Sequence, residues 1–132
     1  MTGQLVESLS LIIPAFNAAS FLERRLEEAR EWLAAQERET ELWVVDDGSL
    51  DATPKILADF DGGSVDFHWI RIDANRGKGH AVRTGMLDAG GVFRIFIDAD
   101  ASYPVENVAH VVEALERGAD VAIGNRAHSE SR

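Results

Sequence analysis

Short apolar runs alternate along the chain with stretches of helical periodicity. Leu9-Ser10-Leu11-Ile12-Ile13 shows no regular polar alternation, so it predicts a strand buried on both faces. Ser20-Phe21-Leu22-Glu23 has capping-box spacing, and Leu22, Leu26, Ala29 and Leu33 then mark one face of a helix running to about Gln36. Leu42 to Val45 predicts a second strand. Asp47-Gly48-Ser49 is turn chemistry, Asp51 reads as a turn or helix-start residue, and Thr53-Pro54 suits the start of a short helix ending near Phe60. Gly62-Gly63 breaks that helix, and Phe67 to Ile72 predicts a third strand. After the loop Asn75-Arg76-Gly77-Lys78-Gly79 comes a helix with Val82, Met86 and Ala89 on one face, then a fourth strand from Val92 to Ile97. Tyr103-Pro104 opens a helix with Val105, Val108, Val112 and Leu115 inward. A fifth strand is expected from Asp120 to Ile123, followed by Gly124-Asn125-Arg126.

Strands that alternate with helices predict an α/β fold, a parallel sheet covered on both faces and joined by right-handed crossovers. Ligands of such sheets bind beyond the carboxyl ends of the strands, where the strand order reverses. The segments following the strands therefore read as one surface: Pro14 to Asn17, Asp46 to Ser49, Asp73 to Gly79, Asp98 to Asp100, and Gly124 to Arg126. Polar and charged groups cluster there.

Composition narrows the function classes. The 132 residues suit one domain or part of a larger one, and the absence of cysteine excludes disulfides and thiolate metal sites. Thirteen basic against 23 acidic residues give a net charge of −10, which argues against nucleic acid as a bulk partner. No apolar run is long enough to cross a bilayer, and Met1 to Ser8 does not read as a secretory signal. The four histidines show no metal-ligand spacing, and Trp32, Trp43 and Trp69 sit in apolar patterns that suit packing.

Asp98 and Asp100 flank Ala99 at the end of a buried run. Two carboxylates so placed need a compensating cation or hydrogen bonds, and Mg²⁺ or Mn²⁺ shared with ligand phosphates would serve. The simpler reading is that one caps the next helix and the other is solvated. Asp46-Asp47 could accept a nucleobase ring N–H, or could bond the turn backbone. The Asn75 to Gly79 loop offers backbone amides and Lys78 to a diphosphate, and Arg83, about a turn into the helix, could reach the same ligand. A turn with a solvated arginine would explain that segment equally well.

A dinucleotide-binding Rossmann domain is excluded, because the first turn contains no glycine. A phosphoacceptor receiver would use Asp46-Asp47 and Asp98 but lacks a lysine after Asp98. Asp98-Ala99-Asp100-Ala101-Ser102 resembles a haloacid-dehalogenase-type phosphatase motif, yet three strands precede it. One resemblance takes in all segments: Ser10 to Asn17, Val44 to Ser49 with Asp51 and Thr53, Asn75 to Gly79 with Ala81-Val82-Arg83 and Gly85, Asp98 to Asp100 with Pro104, and Gly124 to Arg126. In that order they resemble the N-terminal, donor-binding part of a family 2 glycosyltransferase, and the Gly-Lys-Gly and Ala-Val-Arg details are most similar to the polyprenyl- and dolichyl-phosphate sugar synthases.

The resemblance implies a Rossmann-like GT-A nucleotide-diphospho-sugar transferase fold and inverting, metal-dependent transfer of a hexose from a UDP- or GDP-linked donor. It implies that Pro14, Ala15 and Phe16 line the base pocket, that Asp47 contacts the base with Asp46 supporting the turn, and that Lys78 and Arg83 lie near the diphosphate. Asp98, Ala99 and Asp100 form the DxD segment, with both carboxylates serving Mn²⁺ or Mg²⁺. The implied acceptor is a polyprenyl or dolichyl phosphate, which places the full-length protein in the cytoplasm, peripheral at the membrane face. The sequence departs from the lipid branch at Ala18, where an acidic residue is usual, and at Ser102, where some relatives carry Gln. The acceptor-side residues would follow the matched segments. Residues 1–132 are therefore expected to be a single donor-binding portion, truncated and lacking its own catalytic base.

Overall fold

A computed structural model describes residues 6–100 and 102–120. The order is β1 (Leu9–Ala15), α1 (Leu22–Ala34), β2 (Thr40–Asp46), α2 (Thr53–Asp59), β3 (Asp66–Arg71), α3 (Lys78–Asp88), β4 (Phe93–Phe96), a single 3₁₀ turn (Val105–Asn107) and α4 (Val108–Glu116). The fifth strand expected from Asp120 and the Gly124-Asn125-Arg126 segment fall, beyond Asp120 itself, outside the described residues.

All pairings are parallel, in the order β3-β2-β1-β4. The two central strands bury their apolar runs; all seven residues of β1 are buried. Alternate residues of β1 serve opposite layers. Leu9, Leu11, Ile13 and Ala15 join the core built with Leu22, Leu26, Ala29 and Leu33 of α1 and with Val105, Val108 and Val112 of the C-terminal helical segment. Ile12 instead meets α3 at Gly85, as does Val45. The chain moves outward from β1 to β3 and then jumps back across the sheet to β4. A right-handed crossover in that reversed direction requires the opposite face, which is where α3 lies.

Pro14 shapes the reversal point. Pairing of β1 with β4 ends at Ile12 opposite Phe96, closed by the Ile97 amide on the Ile12 carbonyl, whereas pairing with β2 continues to Ala15 opposite Asp46. Proline has no N–H to give. It therefore sits on the side where the ladder has stopped, and β1 and β4 part there.

Two local expectations are corrected. Ser20 does not cap α1: the N-cap position is Phe21, with no side-chain hydrogen bond, because residues 18–21 close a turn on the Ala18 carbonyl. The buried face of α3 is Ala81 and Gly85, with Val82 and Met86 only half-buried and Ala89 beyond the last turn. Small residues win because the helix lies close to the sheet. A Cβ on Gly85 would stand 2.6 Å from Ile12 Cγ2 and 3.2 Å from Val45 Cγ2.

The amino ends of the strands are tied by Glu41. Its Oε1 accepts the Ser10 hydroxyl at 2.7 Å, the Trp43 indole N–H at 2.9 Å and the Gly90 amide at 2.9 Å. Burial opposes ionisation of this carboxyl, but those hydrogen bonds outweigh it and hold Glu41 below its usual value of 4.5. Among the described residues no helix is long and apolar enough to cross a membrane.

Gly85→Val should destabilise the fold by roughly 1–3 kcal/mol through overpacking, read as a lower urea midpoint; an unchanged midpoint would contradict the close approach. A carboxyl depressed in the folded state adds stability above its unfolded pKa and loses it as the pH falls through the folded value. Glu41→Gln should therefore cost stability at neutral pH, with the gap to the parent protein shrinking below about pH 4.5. Urea midpoints along a pH series check this, and a gap independent of pH contradicts it.

Candidate functional site

The loops at the carboxyl ends of the strands are joined by hydrogen bonds. Asp46, the last residue of β2, is fully buried; its Oδ1 accepts the Ser49 amide at 3.0 Å and its Oδ2 the Arg71 guanidinium at 2.6 Å. Arg71 also donates to the Ser49 carbonyl at 3.0 Å, so the end of β3 braces the turn after β2. Asp47, 2% exposed, turns to the loop after β3. Its Oδ1 accepts the Arg76 amide at 2.9 Å, and its Oδ2 accepts the Gly77 amide at 2.8 Å and the Asn75 side-chain amide at 2.9 Å. Gly48, the next residue of the turn, is required. It has φ +76°, and a Cβ there would lie 2.6 Å from the Asn75 nitrogen.

The loop after β1 is held from the same side. The Asn17 amide donates to Ser49 Oγ at 2.8 Å, and Asn17 Oδ1 accepts the Leu50 amide at 2.9 Å. The Ala18 amide donates to Thr53 Oγ1 at 2.9 Å, and the Ala19 amide to Asp51 Oδ2 at 3.1 Å. Thr53 is thus the first residue of α2 rather than its N-cap, and its hydroxyl serves the neighbouring loop. Asp51 Oδ1 accepts the Thr53 amide at 2.9 Å, the helix-start role expected of it. Asn17 takes φ +48°, a conformation asparagine tolerates. Because side chains satisfy these loop amides, they are not left open for a phosphate as in a glycine-rich loop.

The fourth segment meets the third through Lys78, whose ammonium contacts Asp98 Oδ1 and sits 5.7 Å from the Phe96 ring centre. Asp98 is half-buried, Ala99 is buried, and Asp100 is exposed, with its Oδ1 accepting the Ser102 amide at 3.0 Å. Two hard carboxylates on one short turn, one of them already beside a cation, suit a divalent ion that shares its coordination with phosphate.

The structure therefore brings together the segments holding Pro14, Ala15, Asp46, Asp47, Lys78, Asp98, Ala99 and Asp100. Pro14 and Ala15 are buried at the end of β1, and Phe16 is 47% exposed at its tip. Arg83 is not brought to Lys78: five residues along a helix place it about 140° around the axis, on an exposed face.

Two further arginines, not among the residues the sequence pattern singles out, brace the site. Arg71 ends a strand and pairs with Asp46. Arg25 lies in the apolar stripe of α1, 2% exposed; its Nε donates to the Asp98 carbonyl at 3.0 Å and its Nη2 to the Tyr103 carbonyl at 2.7 Å. The signal for Arg25 was present, a charge three residues after Leu22 on the buried face.

A cavity of about 420 Å³ lies at the opposite, amino end of the strands, lined in part by Leu9, Leu33, Thr40, Glu41, Asp66 and Gly91. Ligand atoms of Glu41, Asp66 and His68 lie within 4.8 Å of one another beside it. These groups are engaged locally: Glu41 holds three donors, and His68 stacks on Trp43 and pairs with Asp66 at 3.0 Å. That end carries none of the converging loops.

Comparison with known proteins places this geometry. The chain is 35% identical to a dolichyl-phosphate beta-glucosyltransferase of Drosophila melanogaster over 93% of its own length and 42% of that protein's. It is also 35% identical to an undecaprenyl-phosphate 4-deoxy-4-formamido-L-arabinose transferase of Proteus mirabilis (strain HI4320), over 95% of this chain and 38% of that one. The chain thus spans about two fifths of these curated relatives. Among solved structures, a mannosyltransferase from Pyrobaculum calidifontis in complex with GDP-Man and Mn²⁺ superposes with a TM-score of 0.68 at 26% identity, covering 84% of this chain and 34% of that one. The parallel sheet with helices on both faces is the GT-A architecture of these enzymes. The family model for glycosyl transferase family 2 matches residues 10–132, nearly the whole chain, and the protein belongs to that family.

Proposed function

We propose that the chain binds the donor of a sugar-transfer reaction, a nucleoside diphosphate sugar, and that the full-length protein passes the hexose with inversion to a polyprenyl phosphate at the cytoplasmic face of a membrane. The observation that carries this reading is the joining of the segments after β1, β2, β3 and β4 where β1 and β4 part at Pro14. The names of the relatives support the lipid-phosphate acceptor, and the GDP-Man and Mn²⁺ bound to the archaeal mannosyltransferase support donor and ion.

In this reading Pro14, Ala15 and Phe16 border the base. Asp47 accepts three hydrogen bonds from the 75–77 loop, and a carboxylate has room for about one more, which a uridine or guanosine ring N–H would fill. Asp46 keeps the turn in shape. Asp98 and Asp100 would hold Mn²⁺ or Mg²⁺, which when bound supplies charge neutralisation for the departing diphosphate. Lys78 can shift from Asp98 to the diphosphate, adding a second positive group on the leaving side. Arg83 reaches that ligand only by folding its long side chain back over the first turn of α3. A phosphate acceptor is already ionised near neutral pH, so it needs no strong general base.

Titration of the chain with UDP and GDP, with and without Mn²⁺, tests the reading by calorimetry and thermal shift. At 100 times its dissociation constant a ligand should stabilise the fold by about 2.7 kcal/mol. Asp98→Ala and Asp100→Ala should each remove most of the Mn²⁺-dependent affinity and leave the fold intact. Absence of nucleotide binding, or binding indifferent to both substitutions, contradicts the proposal. Binding of beryllofluoride in its place would favour a receiver or a phosphatase.

A further inference from the structure

Arg25 occupies a position that packing alone would give to an apolar side chain. Leu22, Leu26, Ala29 and Leu33 surround its place on α1, each at most 1% exposed, and Arg25 itself is 2% exposed. Burial lowers its pKa, opposed by Glu28 and then by Asp100 and Asp98. An isosteric apolar residue would avoid that desolvation. The guanidinium is engaged unevenly. Nε and Nη2 reach the carbonyls of Asp98 and Tyr103, the two ends of the segment that carries Asp100. Nη1 stands 3.6 Å from Glu28 and makes no hydrogen bond. Both strong contacts go to backbone, so what Arg25 fixes is the chain at Asp98 and again at Tyr103. A planar fork can hold two carbonyls at once, and a lysine ammonium on a flexible stem cannot reproduce that geometry.

We propose that Arg25 is a positioning residue for the divalent ion, gripping the Asp98–Tyr103 segment at both ends so that the Asp98 and Asp100 carboxylates are presented together. The inference rests on the donor-site reading above. Arg25 touches neither nucleotide nor ion. Its loss should act on the metal-dependent part of binding alone, as outer-shell partners of metal ligands do, at about 10- to 100-fold in affinity.

The test compares Arg25→Lys, which keeps the charge and loses the two-point grip, with Arg25→Met, which keeps the bulk and loses both. UDP and GDP affinities are measured by calorimetry with and without Mn²⁺, and folding by circular dichroism. The expected result is metal-free affinity within about twofold of the parent, with the enhancement by Mn²⁺ reduced about tenfold or more in both variants. A parental enhancement in both variants overturns the inference. So does a parallel fall of both affinities with thermal stability, which a merely structural role would give. If neither variant folds, the Arg25 Nε–H signal of the unsubstituted chain decides by NMR: a shift when Mg²⁺ is added to the nucleotide-bound chain supports the grip, and an unmoved signal overturns it. An unsubstituted chain that binds neither nucleotide with Mn²⁺ overturns the donor-site reading and this inference together. Metal-dependent binding that ignores Arg25 overturns this inference alone.

Discussion

Asp46, the last residue of β2, and Asp47, the first of the turn after it, carry adjacent carboxyl groups almost wholly removed from solvent. Buried carboxylates are tolerated only with partners. The partners found are the turn amide of Ser49, the Arg71 guanidinium at the end of β3, and the amides of the loop from Asn75 to Gly77. Satisfying one end of one strand therefore fixes the two loops beside it. The turn so fixed presents the Ser49 hydroxyl and, one step on, Asp51 and Thr53, and these take up the amides of the loop after β1. Gly48 follows from the same demand, since the third loop lies against its α-carbon.

In the proposed donor reading, this arrangement bears on how a phosphate would be held. A glycine-rich dinucleotide fold leaves loop amides at a helix N-terminus for the pyrophosphate. Here Asn17, Ala18 and Ala19 donate to protein side chains, and Asp47 takes the amides of Arg76 and Gly77. Lys78, Asp98 and Asp100 stand at the rim, and in the proposed reading they would serve a diphosphate together with a divalent ion. β1 and β4 separate at Pro14, where the strand order reverses, the place where sheets of this type bind their ligands.

Much of this was legible in the sequence. The four described strands, their order with the helices and the surface formed by their carboxyl ends follow from apolar runs of the right length. What was not legible depends on distance between segments. Ser20 has the spacing of a cap, but the turn onto Ala18 gives α1 a different entry. Val82 and Met86 outrank Gly85 on any hydrophobic scale, yet only a residue without Cβ lets α3 approach Ile12. Asp46 and Asp47 look alike in sequence, and their division of labour appears only when the loop after β3 is placed beside them. Arg25 stands out as a charge in the apolar stripe of α1, but its partner Asp98 is 73 residues away and no local pattern names it.

Paramagnetic broadening by Mn²⁺, added with UDP or GDP to isotope-labelled chain and followed amide by amide, reports directly where nucleotide and ion sit on the sheet. Loss of signal is expected at the carboxyl ends of the strands, around Asn17, Gly48, Gly77 and Asp98, with Glu41, His68 and Gly90 at the amino ends remaining sharp. Broadening centred instead on Glu41, Asp66 and His68, or no nucleotide-dependent broadening anywhere, would contradict the donor-site reading.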